Sequence, residues 1–187
     1  MKHIIKPALS LFIIAAIITT MLVFAYELTK EPIANQIRKT QEKTMKEVFP
    51  AASGYREIET QKPGNIVRVF EGLMNTEIIG YVIQLAPPGY SGPISMMVGI
   101  SKIDNKITGM RVLRHTETPG LGALAVKENF YRRFDGKTVS PLRVVKVLPG
   151  PNEIEAITGS TITTAAITNA VNEAIEWYNS KSGGGGQ

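Results

Sequence analysis

The chain has 187 residues, no cysteine, two histidines and a formal net charge of +5 from 21 basic and 16 acidic side chains. Without cysteine there are no disulfides, thiolate metal sites, thioether-linked haem or lipoprotein anchor, and His3 and His115 stand too far apart to suggest a histidine metal site within one chain. The charge falls to +3 once Lys2 and Lys6 are set aside; no basic run is interleaved with aromatics, so the excess suits an anionic small molecule or a lipid surface and excludes a nucleic-acid footprint.

Pro7–Tyr26 carries no charged residue. At about 1.5 Å per residue this run reaches roughly 30 Å, the thickness of a hydrocarbon core. Val23-Phe24-Ala25 resembles a signal cleavage site, but the run exceeds the ~7–15 residues of a signal h-region, so an uncleaved anchor is expected. Lys2 and Lys6 precede it and Glu27 follows, which places residues 1–6 in the cytoplasm and the bulk of the chain outside. Ser10, Thr19 and Thr20 read as hydroxyls tolerated within the anchor or bonded to other membrane helices.

Residues 27–50 read as a stalk. Pro32 suits the first turn of a charged helix to Val48, with Ile33, Ile37, Met45 and Val48 on one stripe, and Pro50 ends it. Strands are expected over Asn65–Glu71, Ile78–Leu85, Ser95–Ile100 and Lys106–Leu113, with a hairpin turn at Asp104-Asn105-Lys106. Met96, Met97 and Met110 fall inside these runs and read as core, not as soft-metal ligands. Gly122–Phe134 reads as a helix closed by Asp135-Gly136, and Leu142–Leu148 as a strand ended by Pro149-Gly150-Pro151. Ile154–Ile157 reads as a short strand, and about Thr163–Asn179 as a helix with Ile167, Val171, Ala174, Ile175 and Tyr178 on one face. Residues 181–187 read as a flexible tail. Together these predict an α+β domain over 51–180, built on a largely antiparallel sheet and preceded by one transmembrane helix over 7–26.

The chemistry concentrates where Thr158-Gly159-Ser160-Thr161 enters the last helix. Unpaired N–H groups and the positive end of the helix dipole suit a phosphate there, although Ser and Thr before a helix are usually caps, and the spacing alone favours that reading. Gly120-x-Gly122-x-x-Ala125 formally matches a dinucleotide fingerprint. Its context does not, because a polar stretch separates the glycines from the preceding strand and no acidic residue follows at the right distance. By itself Gly89–Ile94 reads as a turn-rich loop.

The segment Glu155–Thr161 resembles the flavinylation motif of the FMN-binding domain family: Asp, two variable residues, Ser or Thr, Gly, Ala and the modified Thr. Glu155 stands where Asp is usual and Ser160 where Ala is usual. Gly89-Tyr90-Ser91-Gly92-Pro93-Ile94 and His115-Thr116-Glu117-Thr118-Pro119-Gly120-Leu121-Gly122 resemble the same family. With the anchor, nearly the whole chain is similar to the G subunits of Rnf ion-translocating oxidoreductases. That resemblance implies an electron-transfer subunit, not catalytic alone, of a membrane-bound ferredoxin:NAD oxidoreductase. It implies FMN joined covalently through a phosphoester to Thr161, with Thr158, Gly159, Ser160, Thr118, Gly120, Leu121, Tyr90, Ser91 and Glu117 around it and no metal. His115 and Glu117 are expected to tune the flavin ring or shuttle protons. The implied partners are the other Rnf subunits, the membrane and, during maturation, a flavin transferase. Two alternatives remain open: the related C subunit of the sodium-pumping NADH:quinone oxidoreductase, and an anchored exterior ligand-binding or scaffold module with no redox role.

Overall fold

The computed structural model describes residues 2–60 and 62–183; Met1 and the last four residues of the expected flexible tail lie outside the described residues. The chain divides into two compact units, one up to Gln41 and one from Glu42 onward. The first unit is most of α1 (Lys2–Val48), a helix long and apolar enough to cross a membrane. Its apolar side chains stand exposed, Phe12 and Leu11 at 70% each. Such a surface is stable only in an apolar surrounding. The hydroxyl of Thr20 donates to the carbonyl of Ala16 at 2.8 Å, so it is satisfied inside its own helix. Pro32 lies within α1 instead of opening a second helix. A proline inside a helix removes one N–H from the ladder and crowds the carbonyl four residues before it, and here the helix nevertheless continues on both sides.

The second unit is α+β, as expected. Five antiparallel strands run in sequence order: β1 (Gly54–Ile58), β2 (Ile66–Met74), β3 (Glu77–Leu85), β4 (Ser95–Ser101) and β5 (Lys106–Arg114). Both faces of the sheet are covered. The last turns of α1 bring Met45 and Val48, followed by Phe49, onto one face against Phe70, Ile79, Val82 and Met97. The final helix, labelled α3 (Thr161–Gly183), packs Ile167, Val171, Ala174 and Ile175 with Val69, Ile83, Met96 and Val98 on the other. Neighbouring residues such as Val69 and Phe70, or Met96 and Met97, therefore serve opposite cores, as the two-residue period of a strand requires. This explains why β4 is buried almost throughout and reads as a continuous apolar run. The three methionines are fully buried, as expected of core.

Where β4 and β5 pass under α1 they carry Gly99 and Gly109. A Cβ on Gly109 would stand 3.1 Å from Val48 Cα, and one on Gly99 would overlap the Val48 carbonyl oxygen and the Thr108 hydroxyl. That hydroxyl donates to the same carbonyl, which is one of those left open at the end of α1. Residues 42–48 are thus part of the domain core, so the fold starts inside the segment that reads as stalk.

The remaining departures lie in the second half. No strand was expected over β1; it is an edge strand pinned by Arg56, whose guanidinium reaches Glu71 at 2.6 Å. The single helix expected over Gly122–Phe134 is instead a 3₁₀ turn (Gly122–Val126), a one-turn helix α2 (Glu128–Tyr131) and a second 3₁₀ turn (Arg132–Phe134), broken at Lys127, which is extended with φ −80° and ψ 147°. Ala125 and Phe130, both buried, are five residues apart. An unbroken helix would turn them to different sides, and the break restores Phe130 and Phe134 to the core. The strand expected over Leu142–Leu148 is only β6 (Arg143–Val145), paired in parallel with β7 (Glu153–Glu155). Beyond it Leu148 takes φ 51° and is 92% exposed, so the apolar residues there do not continue the strand. The last helix starts two residues earlier than expected and extends through Gly183.

Candidate functional site

β7 ends in a tight turn that delivers the chain to α3. Ser160 N–H donates to the Ile157 carbonyl at 2.9 Å, and Gly159 sits at φ 75°, a left-handed conformation that glycine takes without strain. Thr164 fixes the turn from the next helical turn: its hydroxyl accepts the Ile157 N–H at 3.1 Å and donates to the Ser160 carbonyl at 2.9 Å. Thr161 follows as the first residue of α3, with its side chain exposed. The N–H groups of this first turn have no carbonyl behind them within the helix.

Two further loops meet this turn. One precedes β4 and is closed by Gly89 N–H on the Gly92 carbonyl at 2.8 Å and Ile94 N–H on the Pro87 carbonyl at 2.9 Å. The other follows β5, where the Thr118 carbonyl accepts from Leu121 N–H and Ala123 N–H at 3.2 Å each and Gly120 takes φ 76°. The Thr116 hydroxyl joins them by donating to the Ser91 carbonyl at 3.1 Å.

Between the three segments lies a cleft of about 440 Å³, within the roughly 300–1,000 Å³ common for small-molecule sites. Of the residues singled out in the sequence, Tyr90, Glu117, Thr118, Leu121, Gly159, Ser160 and Thr161 line it. Thr158, Gly120 and Ser91 belong to the same turns but not to the lining, which also includes Gly122, Ile162 and Thr163. Tyr90, Leu121 and Ile162 give it an apolar rim and are exposed. A Cβ on Gly159 would stand 3.1 Å from Leu121 Cδ2, so glycine keeps the helix entrance open beside that side chain.

Glu117 is the most constrained polar group of the site, 5% exposed. Its Oε1 accepts the Ser91 N–H at 3.0 Å and its Oε2 accepts the Thr163 hydroxyl at 2.5 Å. Burial alone would raise its pKa; the hydroxyl of Thr163 and the N–H groups of Ser91 and Tyr90, with a smaller contribution from His115, reverse this and hold the carboxyl below its ordinary range. The group is therefore held as a carboxylate near neutrality. His115 Nδ1 accepts the Glu117 N–H at 3.2 Å, which seats the imidazole beside the start of the loop. Among the described residues no group of three or more His, Asp or Glu side chains gathers as a metal site.

A flavin mononucleotide matches this chemistry in three respects. An exposed hydroxyl and free N–H groups at a helix start suit its phosphate, an apolar rim suits its ring, and a glycine leaves room for close approach.

Comparison with known proteins agrees with this geometry. The FMN-binding domain family matches residues 89–176, a stretch that contains every residue lining the cleft, and the RnfG N-terminal region matches residues 1–48. The chain is 36% identical to the G subunit of the Na(+)-translocating ferredoxin:NAD(+) oxidoreductase complex of Acetobacterium woodii, over 97% of this chain and 94% of that one. It is 31% identical to the G subunit of the proton-translocating ferredoxin:NAD(+) oxidoreductase complex of Clostridium ljungdahlii, over 91% of this chain and 90% of that one. Among solved structures, the C subunit of the Na(+)-translocating NADH-quinone reductase of Parabacteroides distasonis aligns over 57% of each chain, with 27% identity and a TM-score of 0.49.

Proposed function

The chain belongs to the RnfG family, the G subunits of ion-translocating oxidoreductase complexes, and on that premise we propose that it carries FMN on Thr161 as an electron-transfer subunit of a membrane-bound ferredoxin:NAD oxidoreductase. The observation that carries this reading is the position of Thr161. It is the first residue of α3, it is exposed, and it lines a cleft walled by two other loops.

When bound, the flavin supplies the electron-accepting and electron-donating chemistry, since no thiol is present in the chain. The residues around it have simpler work. Thr161 would provide the oxygen of a phosphoester, and the first-turn N–H groups of α3 would hold the remaining phosphate oxygens. Tyr90, Leu121 and Ile162 offer apolar surface to the ring, and Gly159 lets the tethered group lie close to the backbone. The cleft is open on its rim, which suits a group that exchanges electrons with centres on other chains. Residues 7–26 span the membrane in this reading, with the N-terminus in the cytoplasm and the flavin domain outside, where a covalent bond prevents loss of the cofactor. A flavin transferase attaches it after export.

The test is co-expression with a flavin transferase, denaturation, and detection of fluorescence that stays with the polypeptide. Thr161→Val abolishes the signal and Thr158→Val retains some of it. A Thr161→Val chain as fluorescent as the parent overturns the assignment.

A further inference from the structure

We propose that Glu117 is the positioning residue of the cleft: its carboxylate clips the loop that carries Tyr90 to the first turn of α3, and so sets the distance between the apolar rim and Thr161. This rests on the reading above only for the identity of the group that fills the cleft.

Three observations converge. The carboxylate accepts from both sides of the cleft, through the Ser91 N–H at 3.0 Å on one oxygen and the Thr163 hydroxyl at 2.5 Å on the other. It is buried, and these donors, with a smaller contribution from His115, are what stabilise its charge. It also lies in a slot made by two glycines. A Cβ on Gly89 would come within 2.5 Å of Glu117 Oε1, and one on Gly122 would collide with Oε2 and stand 2.6 Å from the Thr163 oxygen. Backbone from two loops has been cleared of side chains around one carboxylate.

Both carboxylate oxygens are thus occupied within the protein. A group so placed acts on the contents of the cleft by fixing where Tyr90 and Thr161 stand. The pairs are distant in sequence: 26 residues separate Ser91 from Glu117, and 46 separate Glu117 from Thr163. No local structure holds the three segments in this arrangement. The Thr116 hydroxyl on the Ser91 carbonyl is a second, weaker tie between the two loops and does not reach α3.

The experiment is amide hydrogen exchange on the full chain in detergent, without flavin. Glu117→Ala is expected to speed exchange over residues 89–92 by about ten- to a hundredfold, the scale of one lost hydrogen bond to a charged group, with β3 unchanged. Thr163→Val, which leaves the charge in place but removes the tie to α3, has the same effect on a smaller scale, and Thr163→Ser restores parental exchange. In the flavin-loaded chain, the visible circular dichroism of the bound flavin changes in Thr163→Val and returns in Thr163→Ser. If Glu117→Ala does not fold, the Thr163 pair decides. Parental exchange over residues 89–92 in Glu117→Ala, or in Thr163→Val where Glu117→Ala does not fold, overturns the proposal. The exchange measurements need no cofactor, so a Thr161 found without flavin would sink the functional reading and leave this one to be judged separately.

Discussion

Gly122→Ala is a sharp test of how the cleft is held. The residue opens a 3₁₀ turn and its φ is not positive, so alanine suits the backbone. On conformational entropy alone the change should stabilise by about 0.5–1 kcal/mol. The surroundings reverse the sign. The added Cβ would overlap Glu117 Oε2, stand 2.6 Å from Thr163 Oγ1 and lie 2.9 Å from Glu117 Cβ. Those atoms cannot move aside without breaking the Thr163–Glu117 bond, which as a bond to a charged group contributes about 1.5–3 kcal/mol. Overpacking adds about 1 kcal/mol or more. After the entropic gain the net loss is about 1.5–3.5 kcal/mol, equivalent to roughly 3–14 °C in melting temperature for a domain of this size. Trp177 fluorescence reports it, because this one tryptophan is buried in the folded unit with its ring edge-on to Tyr81 at 5.2 Å. In a Glu117→Ala background the main obstacle is gone, and the same substitution should cost at least about 1.5 kcal/mol less. An unchanged melting temperature in the parent chain, or an equal loss in both backgrounds, would refute the reasoning.

The remaining predictions concern charge and packing. Because the folded Glu117 carboxyl titrates below its ordinary range, its contribution to stability is fully present above the unfolded value of about 4.3 and is lost as pH falls through the folded value. The stability difference between the parent and Glu117→Gln should therefore be present at pH 5 and shrink in more acid solution; a difference that grows as pH falls below 4 would contradict the assignment. Asp135 has the opposite sign, since burial raises its pKa against the opposing pull of Arg111 and Arg132, and subtracting the two titrations removes it from the comparison. Gly99→Ala presses on the buried carbonyl of Val48 and should lower stability by about 1–3 kcal/mol in urea unfolding. Gly54→Ala, which meets nothing within 4 Å on the edge strand, should be neutral or slightly stabilising. Equal midpoints for these two variants would show that the α1–sheet contact does not carry stability.

Much of the fold was legible because its signals are local. β2 to β5 announce themselves as runs of branched and apolar residues between Gly, Pro and Asn. The buried positions Ile167, Val171, Ala174 and Ile175 of α3 follow helical spacing. The elements that were missed depend on partners. β1 has the sequence GYREI and becomes a strand only by pairing with β2. The break at Lys127 satisfies the burial of Phe130, and nothing near Lys127 signals it. The apolar Val147-Leu148 pair looked like strand and is exposed. At the site, the hydroxyl and glycine pattern around Thr161 was legible by resemblance, and seven of the residues named from it line the cleft. Thr163 was missed because its only distinguishing feature is a bond to a carboxylate 46 positions earlier.

The sequence by itself determined the apolar N-terminal helix, the α+β character of the rest, the absence of thiol chemistry and the threonine at the head of the last helix. Each of these depends on residue type and on spacing within about a dozen positions, which is the range over which backbone propensity and hydrophobic period act. Tertiary structure alone decided that the end of α1 is core, that the helix after Gly122 is broken, and that Glu117 is a buried clip with both oxygens engaged. Those depend on which distant segments share one small volume, and there the desolvation of a carboxylate or the bulk of a single Cβ outweighs any local preference.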